Sequence, residues 1–252
     1  MKSGLKNKNV LITGASKNIG KAIAISLAQK NSNVIICARN NTELKKVLKI
    51  MNKYSGSNHA FALDLEDPKG PLRLFKNLKD NKIAPDIIVH NLGGSRQVTD
   101  NNFSRKDLLN VWQLNLGIAH EINKELLPQM INKNWGRIIH ISSLAAKTAK
   151  GYVPYVSAKS ALEGYVRSMS KHLSQKNVIM NAIAPGLVDL PGRYYTSMKT
   201  KNPQMLEKFY DEHLPIRRML KPNEIADLIC YLCSHDVSYM AGAIIPIDGG
   251  GS

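Results

Sequence analysis

Seven short, predominantly apolar runs recur along this chain, each separated from the next by a stretch of helical periodicity, and no other property restricts the fold as tightly. They are Val10–Thr13, Asn33–Ala38, His59–Leu63, Asp86–His90, Arg137–Ile141, Val178–Ala184 and Ala243–Ile247. Strands that read as apolar runs rather than as alternations are buried on both faces, the condition of a parallel sheet covered by helices. Regular alternation of strand and helix then predicts an α/β chain built on one doubly wound parallel sheet of about seven strands, with helices on both faces. With 252 residues, 43% of them hydrophobic, the chain can bury one large core. No repeat, low-complexity tract or linker divides it, so a single domain over 1–252 is expected.

The first run continues into a glycine-rich turn and a helix: Asn9-Val10-Leu11-Ile12-Thr13-Gly14-Ala15-Ser16-Lys17-Asn18-Ile19-Gly20-Lys21-Ala22-Ile23-Ala24. Ile19, Ile23 and Leu27 carry the helical spacing. Strand, glycine turn and helix start form the first unit of a Rossmann-type dinucleotide fold. There the helix N-terminus faces a pyrophosphate and the glycines let the backbone approach it. Taken alone, the element is equally well a tight turn with no ligand.

Tyr155 and Lys159 lie four residues apart in Tyr152-Val153-Pro154-Tyr155-Val156-Ser157-Ala158-Lys159 and so share a helix face. A free tyrosine, with a pKa of about 10, is a poor acid or base at neutral pH. A neighbouring ammonium favours the phenolate and is expected to lower that value, which suits the group to proton transfer. Such pairs also arise by chance on solvated helices. The serine pair Ser142-Ser143, just upstream, and the glycine turn lift this one above chance.

Other chemistry is disfavoured. Three cysteines make no disulfide framework, and Cys230-Tyr231-Leu232-Cys233 lies inside an apolar helical stretch, well past its start at Pro222. A reactive thiol prefers a helix N-terminus and a structural zinc needs four ligands, so buried packing is the reading, and no metal is expected. The formal charge of +16 is spread over scattered lysines and only 6% of residues are aromatic. No basic run is interleaved with stacking residues, so no nucleic-acid partner is expected. A solvated lysine surface is preferred to an anionic partner such as a phosphorylated cofactor or an acidic carrier protein. No segment is long enough to span a membrane and the N-terminus has no signal-peptide core, so a cytoplasmic protein is expected.

Taken together, these landmarks resemble the short-chain dehydrogenase/reductase family, in its branch of roughly 250 residues, over Val10–Gly250. Thr13-Gly14-x-x-x-Asn18-x-Gly20 is similar to the family's glycine motif, with Asn18 for the middle glycine. Asp64-Leu65 matches the pair that contacts adenine, and His90-Asn91-Leu92-Gly93 the segment after the fourth strand. Asn115, Ser142-Ser143, Tyr155, Lys159, Pro185-Gly186 and Ile247-Asp248-Gly249-Gly250 succeed one another in family order. The resemblance implies a ketone (or aldehyde)/alcohol oxidoreductase. Ser143, with Ser142 as the alternative, would polarise the carbonyl, and Tyr155 would transfer the proton. Lys159 would tune Tyr155 and hold the nicotinamide ribose. Asn115 would hold a relay water, the plainer alternative being a backbone bond in a helix kink. The cofactor would be held by Gly14, Ser16, Lys17, Asn18, Ile19, Gly20, Arg39, Asp64, Leu65, Asn91, Gly93, Tyr155, Lys159, Pro185, Gly186 and the Val188 backbone.

Cofactor choice can be argued from charge. The second strand ends Cys37-Ala38-Arg39-Asn40, with no acid at its tip for a 2′-hydroxyl. Arg39 and Lys17 are two cations suited to a 2′-phosphate, and in the family such a pair goes with NADP(H). Asn tolerates the left-handed conformation the turn needs at position 18. Leu92 and Leu190 depart from the family pattern, Leu190 by removing a threonine that bonds the nicotinamide amide. The segment around 187–221 would be a variable substrate lid. The substrate stays open between a 3-oxoacyl group on a carrier protein, with Lys133 and Lys176 near carrier-binding positions, and a small polar ketone, sugar or polyol. A cofactor-binding regulator or nucleic-acid-binding protein on the same fold is the alternative from another class. The resemblance also implies a homotetramer, and Ala158, Ala161, Leu162 and Val166 are the apolar residues offered for its helix pairing.

Overall fold

The computed structural model describes residues 4–96, 98 and 102–252. Its strands are β1 (Asn9–Thr13), β2 (Asn33–Ala38), β3 (His59–Ala62), β4 (Ile87–His90), β5 (Gly136–Ile141), β6 (Val178–Pro185) and β7 (Ile244–Ile247). All seven apolar runs are strands, displaced by at most a residue or two at their ends, where hydrogen-bond pairing frays. The helices are α1 (Asn18–Gln29), α2 (Asn41–Met51), α3 (Gly70–Asp80), α4 (Arg105–Trp112), α5 (Ile118–Asn132), α6 (Ala145–Thr148), α7 (Val153–Leu173), α8 (Tyr194–Lys201), α9 (Pro203–His213) and α10 (Pro222–Leu232).

The sheet is wholly parallel, in the order β3-β2-β1-β4-β5-β6-β7. Alternate residues of each strand enter opposite cores, because successive side chains point to opposite faces. Val10, Ile12, Val34, Ile36, Ile87 and Val89 face one core, closed by α1, α2 and α10. Leu11, Ile35, Ile88 and Ile138 face the other, closed by α3, α5 and α7. Cys230 and Cys233 are buried in the first core, at the end of α10. Burial pushes the Cys230 thiol up to about 12 and raises that of Cys233 further, which leaves both as packing groups.

Strand order reverses between β1 and β4. From β1 the sheet grows outward through β2 and β3, then resumes on the other side of β1 with β4. The loops leaving β1 and β4 therefore diverge and open a crevice at their carboxyl ends. Residues 187–221 fold over the end of the sheet as α8 and α9, around a small apolar cluster of their own: Met198, Leu206, Tyr210, Leu214 and Met219. Among the described residues no helix is long and apolar enough to cross a membrane.

Candidate active site

The crevice is a cleft of about 590 Å³. Gly14, Ser16, Lys17, Asn18, Ile19 and Gly20 wall it on the β1 side, Arg39 at the end of β2, Asp64 and Leu65 after β3, and Asn91 and Gly93 after β4. Eleven of the residues expected to bind cofactor thus line one cavity. Gly14 has φ +66° and Asn18 φ +54°, so both occupy the left-handed region and the turn forms despite the missing middle glycine. Asn91 secures the floor: its Nδ2 donates to the carbonyls of Thr13 (3.1 Å) and Gly14 (3.0 Å).

The cavity has the chemistry of a dinucleotide site. Lys17, at the N-cap of α1, makes no side-chain cap bond, so the first-turn N–H groups of α1 remain available to an anion at the cavity wall. Lys17 and Arg39 add two cations. Arg39 meets Glu66 at 3.4 Å with its side chain 70% exposed, a solvent-screened pairing that a phosphate can displace. Pro185, Gly186 and Val188 do not line the cleft. Gly186 N donates to Ile247 O (3.0 Å), the Pro185 carbonyl accepts from Leu144 N (3.0 Å), and Val188 forms a bridge with Leu220. They tether the 187–221 segment to the sheet.

The reacting groups adjoin the cleft at Gly93. A Cβ there would stand 2.7 Å from Asn115 Oδ1 and 3.1 Å from Lys159 Nζ, so only glycine leaves room at this wall. Lys159 and Tyr155 are carried by α7, and the lysine, 3% exposed, donates from Nζ to the Ile141 carbonyl at 2.7 Å. Burial pushes its amine down to about 8, an effect that Glu163 partly offsets. The Ser143 hydroxyl is near enough to the Tyr155 phenol to favour its ionised form.

Both Lys159 and Asn115 are also engaged by backbone groups. The Lys159 ammonium lies over the tyrosine ring, 5.7 Å from its centre, and donates to the Ile141 carbonyl. Burial holds the Tyr155 phenol above its ordinary range, opposed by the Ser143 hydroxyl and by the charge of Arg193. The Asn115 side chain makes backbone bonds within a helix irregularity and keeps one acceptor lone pair on Oδ1. In the π-helical turn Gln113–Gly117 its Nδ2 donates to the carbonyls of Gly94 and Val111, both at 2.8 Å, and its Oδ1 accepts from Gly94 N at 3.1 Å. Ser142 and Ser143 separate cleanly. Ser142, buried, donates to Glu163 Oε1 (2.8 Å), whereas Ser143 faces Tyr155.

By sequence, Gly192-Arg193-Tyr194-Tyr195 in the lid can pack or supply polar pocket contacts, packing being the preferred reading for most of them. Arg193 takes the second course: together with Leu190 it lines the cleft, and its charge acts on Tyr155. His90 belongs by sequence to the fourth-strand motif, but its ring stacks on His140 across β4 and β5 (4.5 Å) and meets Asn123 Oδ1 at 2.8 Å.

A glycine-turn dinucleotide cleft at the switch point of a parallel sheet, with a Ser–Tyr–Lys cluster at its edge, defines a nicotinamide-dependent oxidoreductase. Residues 14–252 match the family described as Enoyl-(Acyl carrier protein) reductase. The chain is 33% identical, over 99% of both chains, to 3-oxoacyl-(acyl-carrier-protein) reductase of Aquifex aeolicus. Its fold superposes with TM-score 0.91 on L-sorbose reductase from Gluconobacter frateurii, solved with NADPH and L-sorbose (27% identity, 100% of this chain and 98% of that one). It superposes with TM-score 0.87 on the NADP complex of Pseudomonas aeruginosa RhlG (30% identity, 99% of each). The chain belongs to the short-chain dehydrogenase/reductase family. It is an NAD(P)-dependent oxidoreductase that interconverts ketones and alcohols.

Proposed function

We propose that this chain is an NADPH-dependent ketone reductase in which Ser143, Tyr155 and Lys159 act on the substrate and Asn115 positions the wall beside them. The observation that carries the reading is the buried Tyr155, with the Ser143 hydroxyl acting on its phenol and the buried Lys159 on the same helix, at the mouth of a cleft that also holds the cations Lys17 and Arg39. NADP(H) fits those cations and is present in the solved relatives. When bound, the nicotinamide supplies the hydride. Ser143 Oγ then donates to the substrate carbonyl as negative charge develops on its oxygen. Tyr155, kept protonated by burial, gives that oxygen its proton and accepts one in the reverse direction. Lys159, anchored on Ile141, holds the ribose at the cleft edge. Asn115 pins the Gly93–Gly94 backbone against Lys159, and the second lone pair of its Oδ1 can accept from a relay water.

The chain reads as one NADP(H)-binding domain over 1–252, with 187–221 as a substrate lid. Of the two substrate readings, a small polar ketone is favoured over a carrier-linked 3-oxoacyl group. Lys133, one of two residues placed for a carrier, is tied to Asp86 at 2.9 Å. Purified protein assayed with NADPH and NADH against ketoses, oxo acids and 3-oxoacyl thioesters is expected to reduce a small ketone with NADPH. Turnover confined to carrier thioesters would reverse the substrate order, and none with any carbonyl would refute the reductase.

A cytoplasmic homotetramer completes the proposal. Ala158, Leu162 and Val166, offered for helix pairing, are buried within the chain's own core. Uncovered apolar groups lie beside them instead: Leu109 and Trp112 on α4, and Tyr152 and Val153 at the start of α7. These are the surface for a second copy. Light scattering at micromolar concentration is expected to read a multimer, and a monomer would refute it.

A further inference from the structure

Arg193 stands at the N-terminus of α8 and lines the cleft beside Leu190 and Gly93, the end at which Asn115 and Lys159 touch the wall. It is close enough to Tyr155 for its charge to act on the phenol. What distinguishes it is the absence of a counter-ion. The other two arginines of 187–221 are neutralised in place. Arg217 is paired with Asp211 and with Glu207 (2.8 Å), and Arg218 grips both oxygens of Glu224 at 2.7 and 2.8 Å. Lys199 is paired with Asp189. Among the described residues, no carboxylate lies within ion-pair distance of Arg193. The cleft's acidic residues are engaged at its far end, Glu66 between Arg39 and Arg96, and Glu43 on Lys46.

A guanidinium presents a rigid planar fork that matches a carboxylate through two parallel hydrogen bonds. Held over a reaction site with no partner of its own, it is suited to a partner that arrives. The cofactor phosphates are one source of oxyanion and the substrate is the other. The pyrophosphate has the uncapped N-terminus of α1, and the 2′-phosphate has Lys17 and Arg39. Arg193 is at the reacting end.

We propose that Arg193 is a specificity-determining residue that binds a carboxylate of the substrate, so that the preferred ketones are short oxo acids. This rests on the reductase reading above and names its substrate class. The fork of Arg193 would fix the acid while Ser143 and Tyr155 take the carbonyl. A ketone a few atoms from its carboxylate spans the two, and a neutral ketone of the same shape binds without the anchor.

The test uses short 2-, 3- and 4-oxo acids, each paired with its methyl ester, titrated by calorimetry into NADP⁺-loaded protein, where no reduction can occur. At least one acid is expected to bind about tenfold or more tightly than its ester, the scale of one charge-assisted contact. Arg193→Gln should abolish that preference while ester affinity and NADP⁺ affinity stay within about threefold, and Arg193→Lys should retain part of it. Equal binding of acids and esters by the wild type, or no binding of any acid, overturns the proposal. So does a loss of NADP⁺ affinity in Arg193→Gln equal to the loss for the acid, which would make the guanidinium a cofactor clamp. Turnover with NADPH is read separately. Acid-selective binding with no reduction of any carbonyl refutes the reductase and leaves Arg193 as a carboxylate site.

Discussion

Tyr155→Phe is expected to lower kcat for ketone reduction by about 10²–10⁴-fold, the usual worth of a positioned general acid. The substitution removes one oxygen and keeps the ring, so the packing of α7 against its neighbours should be retained. It leaves Ser143 without its phenol partner but leaves the Ser143 hydroxyl free to approach a carbonyl. Lys159 should not move, because its anchor is the Ile141 carbonyl at 2.7 Å and not the tyrosine oxygen. NADPH affinity should therefore change little, since the dinucleotide cleft is lined by other residues. Steady-state rates, together with a fluorescence titration of NADPH, separate the two effects. A variant with wild-type kcat would sink the assignment of Tyr155 as proton donor. A variant that loses NADPH binding in proportion to rate would show that the tyrosine serves the cofactor first.

Arg39→Asp is expected to weaken NADPH by about ten- to a hundredfold and to leave NADH unchanged or improved. The substitution removes a charge-assisted contact to the 2′-phosphate and adds a repulsion, so both changes act in one direction. In the structure Arg39 meets Glu66 at the tip of the cleft, and Glu66 is also paired with Arg96. An aspartate at position 39 would stand beside that carboxylate and deepen the repulsion for phosphate, while offering an acceptor to a 2′-hydroxyl. Lys17 remains as the second cation, which keeps the loss from being complete. Titration of both cofactors into wild type and variant decides the matter. Wild-type preference for NADH, or unchanged NADPH affinity in the variant, overturns the phosphate role of Arg39.

The layers of this molecule were legible where a local pattern dictates a local outcome. Apolar runs such as Val178–Ala184 could only be strands buried on both faces, and the turn from Gly14 to Gly20 announced its cleft through backbone freedom and helix polarity. Strand ends slipped by a residue or two because terminal pairing leaves little mark on side-chain pattern. The reading weakened wherever the partner is a backbone group or comes from a distant segment. Lys159 turns toward the carbonyl of Ile141, and Asn115 bonds to the backbone of Gly94 and Val111. No residue type encodes either contact. Ser142 and Ser143 look equivalent until Glu163, twenty-one residues on from Ser142, claims one of them. Ala158, Leu162 and Val166 looked like a spare apolar face because the pattern of a helix does not say whether the chain's own sheet or a second copy covers it. For Arg193, in a lid run that could pack or contact the pocket, the choice was made only by its place on the cleft wall.

The reversal of strand order between β1 and β4 gives the cleft two owners. One wall belongs to the first part of the chain, through residues 14–20, 38–40 and 63–66, and the other to the part from β4 onward, through Asn91, Gly93, Leu190 and Arg193. A dinucleotide lodged there is a rivet through both parts. Neither alone presents the complete binding surface, so ligand affinity is felt by the whole cooperative unit and not by one lobe. At a free concentration a hundred times its Kd, such a ligand adds about 2.7 kcal/mol to global stability. In a protein of this design, the free dinucleotide concentration is therefore a determinant of the folded fraction, apart from any turnover the chain performs.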